Sequence, residues 1–230
     1  MRELEEFRPD VIVNLGDWFE GKPAKRWPAW SDETWTLEDE FNAVAAQAEE
    51  INAIAPQAKK YWLYGNHDDN LFGSQPGRIP NDLQKTIQWR NNPRLTAALK
   101  DWRITEKYGH RERLRLGPVT FQHGCDAAIS AEKNGGYLYG SPFGLYVCGH
   151  THRPVRVTRA EERGIYLPYW YCNPGCGVQW DRMHYMTRLK MAKWGRGLIV
   201  GEMAGVEQSR SAYASKQWDA ELKIQSMAHE

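Results

Sequence analysis

Short apolar runs of strand type alternate along the chain with stretches of helical period. Residues 1–7 read as the end of a helix, closed at Pro9. Asp10-Val11-Ile12-Val13-Asn14-Leu15 is a continuous apolar run, as in strands of parallel sheets buried on both faces. Leu37, Phe41, Val44, Ala45, Ala48, Ile51 and Ile54 then recur at helical spacing and predict a helix from Leu37 to about Ala55. Thr36 is placed to cap it, with Asp39 as the acid of a capping box, and Pro56 ends it. The aromatic run Lys59–Tyr64 is the next strand. Strand, helix and strand in this order predict a layered α/β fold.

Gly and Pro punctuate 71–81 as loop. Asp82–Asn92 and Arg94–Asp101 read as two short helices separated at Asn92-Pro93. Arg113–Leu116 and Val119–Gln122 form a hairpin across Gly117-Pro118, followed by a small-residue helix from Asp126 to Asn134. Phe143–Cys148 is another buried strand. Pro154–Thr158, Ile165–Leu167, Tyr169–Cys172 and Gly197–Glu202 supply the strands of a second sheet. The predicted domain covers 1–205. Residues 206–230 are a polar tail or extra strand, with one alternating segment at Trp218–Ile224.

Composition narrows the function classes. Lys plus Arg is 30 and Asp plus Glu 29, a formal net charge of +1 that lends nucleic-acid binding no support. No apolar run approaches the roughly 20 residues that span a bilayer. The first residues carry no apolar signal region, so a cytoplasmic protein is expected. Cys172 and Cys176 flank Asn-Pro-Gly without a second cysteine pair, and read as ordinary cysteines around a turn rather than a zinc knuckle. The 11 Trp and 11 Tyr imply aromatic packing or a stacking surface.

The chemistry gathers where strands end. Gly16-Asp17, Gly65-Asn66-His67-Asp68, His123-Gly124 and Gly149-His150-Thr151-His152 each follow a predicted strand, and strand ends are where α/β sheets bind ligands. One such tetrapeptide alone is a polar turn; the set is an array of metal-ligand side chains. Mixed Asp, Asn and His donors suit Mn²⁺, Fe or Zn²⁺ better than Ca²⁺. A carboxylate can bridge two such ions, which polarise a phosphoryl group and activate water.

In this order, GDWFE, GNHD, HG and GHTH resemble the calcineurin-like metallophosphoesterase superfamily, from about Phe7 to His152 and more loosely to about Glu202. The resemblance implies a four-layer α/β/β/α sandwich and a two-metal site. It makes Asp17 the bridging carboxylate, Asn66, His123 and His150 the other ligands of the second metal, and His152 a ligand of the first. His67 becomes the histidine that contacts phosphate and protonates the leaving oxygen, with Asp68 orienting it. Glu20 stands where the family often has Asp and is expected to accept a hydrogen bond behind the ligands. Trp18 is read as cover, Cys125 and Cys148 as core, and Lys25, Arg26 and Arg153 as solvated charges. His110, His184 and His229 lie outside the motifs and read as ordinary packing or surface histidines.

The family's remaining motif, Asp-x-His at the end of a preceding strand, does not occur before Gly16. The expected fold therefore lacks its first strand, with one tightly held metal instead of two, manganese ahead of iron or zinc. Either an upstream reading frame encodes that strand, which is the expectation taken, or the chain is a natural variant with a half-built site. The expected reaction is hydrolysis of a phosphomonoester or phosphodiester. The alternative is a weak or inactive member of the fold that serves as a protein-binding scaffold.

Overall fold

The computed structural model describes residues 1–21, 36–73, 81–124, 128, 130–140, 144–177, 193–202 and 223–225. The chain forms two compact units, Met1–Arg113 and Leu114–Glu230.

The first unit opens with α1 (Arg2–Phe7) and β1 (Val11–Asn14). The helix α2 (Leu37–Ile54) has the predicted capping box: the Thr36 hydroxyl accepts from the Asp39 N–H at 3.2 Å, and Asp39 accepts from the Thr36 N–H at 2.7 Å. Its predicted stripe is the face that packs, since Phe41, Val44, Ala45, Ala48 and Ile51 are buried. Next come β2 (Lys59–Leu63), α3 (Asn66–Phe72), α4 (Asn81–Thr86), a 3₁₀ turn at Trp89–Asn91, α5 (Pro93–Ala98) and β3 (Trp102–Thr105). The strands form a parallel sheet in the order β1-β2-β3.

Two expectations change here. Trp102–Thr105, unassigned from the sequence, is an outer strand of this sheet, in register Lys60↔Trp102 through Leu63↔Thr105. Four residues just past a helix are too few to show a period. And β1, read as buried on both faces, is half-exposed along its length, because among the described residues it pairs with β2 alone. The central strand β2 holds the core, with Trp62 and Leu63 sealed from solvent. Around Trp62 pack Trp18, Phe19, Tyr64, Phe72 and Trp89, ring centroids 5.0–6.5 Å apart. Among the described residues of this unit these rings are packing, whereas Tyr108 is exposed.

The second unit contains β5 (Val119–Gln122), α6 (Ala131–Tyr139), β6 (Leu145–Cys148), β7 (Val155–Glu162) and β8 (Ile165–Asn173). With β4 (Arg113–Leu116), whose first residue closes the first unit, they form a sheet in the order β4-β5-β6-β8-β7. The strands β5, β6 and β8 run parallel, and β7 returns antiparallel to β8. The helix expected at Asp126–Asn134 is a correction, since α6 runs instead through Gly135-Gly136 to Tyr139. A Cβ on Gly135 would lie 2.5 Å from the Tyr146 ring, and one on Gly136 2.5 Å from the Tyr169 ring. These glycines let the helix sit close on β6 and β8, where sequence reading takes Gly-Gly as a stop. A small antiparallel ribbon pairs β9 (Leu198–Val200) with β10 (Lys223–Gln225), at the end of the alternating segment expected in the tail. The fold class is mixed α/β, with helices and two principal sheets. None of the described helices is long and apolar enough to cross a membrane.

Candidate metal centre

Each unit carries its own share of the motif residues at its strand ends. In the first, the Asn14 side chain accepts the Gly16 N–H at 2.8 Å and turns the chain out of β1. Gly16 (φ 97°) and Asp17 (φ 54°) are both left-handed. The loop is clasped to the start of α3 from both sides. The Asp17 N–H donates to Asp68 Oδ2 at 2.8 Å, and Asp17 Oδ1 accepts the His67 N–H at 2.9 Å. Gly65 lies in this clasp: a Cβ there would come within 2.1 Å of Asp17 Oδ1 and 2.2 Å of its backbone nitrogen. Gly65→Ala is expected to cost about 1–3 kcal/mol, the scale of overpacking a filled site. Denaturant unfolding measures it, and an unchanged midpoint would contradict this geometry.

Asp68 is fully buried. Besides Asp17, its carboxylate accepts N–H groups from Gly65 (2.8 Å), Phe19 (3.1 Å) and the Trp62 indole (3.3 Å). It thus ties together the ends of β1 and β2. The ring of His67, which Asp68 is expected to orient, has Glu20 at its Nδ1: the Glu20 carbonyl oxygen at 3.1 Å and its carboxylate at 3.4 Å. Glu20 therefore has a more direct part than the sequence implied. His110 is a packing histidine, as read: its Nδ1 lies 2.8 Å from the buried Asp69 carboxylate and holds the 3₁₀ turn Gly109–Arg111 against α3. The indole of Trp18 donates to Gln47 and packs edge to face against Trp62 and tilted against Trp102, as cover.

In the second unit β5 delivers His123, which is buried, and β6 delivers Gly149-His150-Thr151-His152. The Gly149 N–H donates to the His123 carbonyl at 3.0 Å, which joins the two loops. His123 Nε2 and His150 Nδ1 lie 3.2 Å apart with the rings edge to face. Two nitrogens bound about 2.1 Å from one cation are separated by about 3.0 Å at a right angle and about 3.4 Å at the tetrahedral angle, so the pair fits a shared divalent ion. His150 (φ 62°) and His152 (φ 59°) are left-handed, like Asp17. Left-handed non-glycine backbone costs on the order of 1–3 kcal/mol per residue and gathers at functional sites.

A buried network supports the GHTH loop from behind. The two N–H groups of the Asn173 amide, fully buried, are shared among the Gly149 carbonyl (2.8 Å), the Thr151 hydroxyl oxygen (2.8 Å) and Glu132 Oε1 (3.0 Å). The Thr151 hydroxyl donates to the same Glu132 oxygen at 2.7 Å. Sequence reading missed Glu132 altogether. It met Asn173 only inside Cys172-Asn-Pro-Gly-Cys176, where the asparagine rather than the cysteines bears on the loop. Burial pushes the Cys172 thiol up to about 12 and Cys148 higher still, so neither thiol is a ready thiolate. Cys125, Lys25, Arg26, His184 and His229 lie outside the described residues.

Strand ends bearing Asp17, His150 and His152 in left-handed turns, with His123 after β5 and Asn66 opening α3, give this α/β protein the donor types of a divalent-metal site. The chain matches the calcineurin-like phosphoesterase family over residues 1–154 and belongs to that family. No curated protein and no solved structure matches it.

Proposed function

We propose that the chain is a metal-dependent phosphoesterase that hydrolyses a phosphomonoester or phosphodiester. The observation that carries the reading is the left-handed backbone at Asp17, His150 and His152, three motif residues at strand ends in a member of this family. Asp17, Asn66, His123 and His150 would hold one divalent ion, and Asp17 with His152 a second, more weakly. Manganese, iron and zinc all accept these donors, and manganese is the first choice. When bound, the ions supply Lewis-acid polarisation of the phosphoryl group and activation of water. His67 donates a proton to the leaving oxygen, and Glu20 holds its ring.

The test is a calorimetric Mn²⁺ titration of the wild type, His123→Ala and His150→Ala. Each variant is expected to lose more than about tenfold in affinity, since even residues that only orient ligands cost 10–100-fold. Unchanged affinity in both variants would remove these ligands from the proposal.

Turnover of a generic phosphodiester with Mn²⁺ tests the hydrolytic part of the proposal, and a complete lack of turnover would favour a protein-binding scaffold instead.

A further inference from the structure

The segment just before β9 crosses the GHTH loop, and nothing in the sequence motifs points to it. The Gly195 N–H donates to the His152 carbonyl at 3.0 Å, and the Gly195 carbonyl accepts the Cys176 N–H at 2.8 Å. A bridge between Cys176 and Arg196 continues this pairing. Gly195 has room for no side chain, since a Cβ would come within 2.2 Å of the Pro154 ring. The backbone on either side of this glycine is therefore fixed. Its neighbour Trp194, half-buried, lays its indole on the His152 imidazole, with ring centroids 4.2 Å apart and planes 30° from parallel.

We infer that Trp194 is a positioning residue for His152. The last torsion of a histidine side chain is broad and roughly two-fold, so backbone geometry alone leaves the imidazole free to turn. A ring stacked on its face removes that freedom. It does so without using either nitrogen, since both lie on the imidazole edge, in its plane. Stacking thus orients a ligand histidine while leaving Nδ1 and Nε2 for other partners. Hydrogen-bonded supports consume one of them. His152 sits on strained backbone (φ 59°), and the fixed Trp194 segment keeps ring and backbone aligned together. This inference rests on the proposal that His152 is a metal ligand.

The experiment compares the wild type, Trp194→Phe, Trp194→Leu and His152→Ala by Mn²⁺ calorimetry, with NMR of the histidine ring protons and thermal melting of each. His152→Ala is expected to abolish the weaker binding event. Trp194→Leu should weaken that same event about tenfold, the lower end for a residue that orients a metal ligand. Trp194→Phe, which keeps an aromatic face, should stay within about threefold of the wild type. The His152 ring protons should be shifted upfield by the indole in the wild type and lose that shift in Trp194→Leu. If Trp194→Leu does not fold, Trp194→Met, which keeps bulk without a ring, takes its place. Wild-type binding in Trp194→Leu with loss in His152→Ala overturns the inference and leaves the metal reading standing. Wild-type binding in every variant, His152→Ala included, removes His152 from the site and the inference with it.

Discussion

Asp68→Ala is expected to destabilise the protein by roughly 3–5 kcal/mol, a large part of the 5–15 kcal/mol that holds a typical domain together. The carboxylate is fully buried and accepts from three backbone N–H groups and one indole N–H. Truncation strands those donors, and each buried group left unsatisfied costs about 1–3 kcal/mol. Water entering the vacated space recovers part of that sum. Asp68→Asn should be much milder, because the four bonds are unevenly shared. One oxygen takes Asp17, Gly65 and Trp62, and the other takes only Phe19. An asparagine with its oxygen at the crowded position keeps three of them and sets its NH₂ against the Phe19 N–H alone, for a cost of about 1–3 kcal/mol. Guanidinium unfolding followed by tryptophan fluorescence reads both values, with Trp62 reporting from within the network. An Asp68→Ala midpoint equal to the wild type would mean that this carboxylate is not what ties β1 to α3.

The same residue shows how far the sequence carries. GNHD is visible as a motif because its residues are contiguous, and α2 is visible because Thr36, Asp39 and the apolar stripe are local signals. Asp68 itself was legible as important, but its partners at Asp17 and Phe19 are some fifty residues away. No local pattern could tell that it serves the Asp17 loop. Glu132 and Trp194 were invisible for the same reason: each meets the GHTH loop only through tertiary packing. The misplaced α6 has a different cause. Gly135 and Gly136 have low helix propensity, and only the Tyr146 and Tyr169 rings above them explain why the helix continues. Similarly, an apolar run such as β1 records composition, while its half-exposure records which neighbours it has.

His67→Ala is expected to lower kcat by roughly 10²–10⁴-fold, the usual contribution of a positioned general acid, while bound metal is retained. The geometry assigns the roles of its two nitrogens. A carbonyl oxygen can only accept, so the 3.1 Å contact with Glu20 puts a proton on Nδ1. Nε2 is then the nitrogen available to substrate, and it must carry a second proton, as in the imidazolium form, to donate to the leaving oxygen. The backbone is fixed as well, since the His67 N–H is held by Asp17 Oδ1 at 2.9 Å, so residue and proposed metal ligand move as one. Glu20→Gln keeps the backbone carbonyl and alters only the 3.4 Å carboxylate contact. Both side chains are about 30% exposed, and partly exposed pairs of this kind contribute about 1 kcal/mol or less. Glu20→Gln should therefore cost no more than about tenfold. The leaving group supplies the sharper test. A p-nitrophenolate departs without needing a proton, whereas an alkoxide does need one. The His67→Ala deficit should accordingly be small with p-nitrophenyl esters and approach its full size with alkyl esters. An equal deficit for both would assign His67 to phosphate binding instead of proton donation. Loss of metal from the variant would make it a ligand, against the role proposed for it.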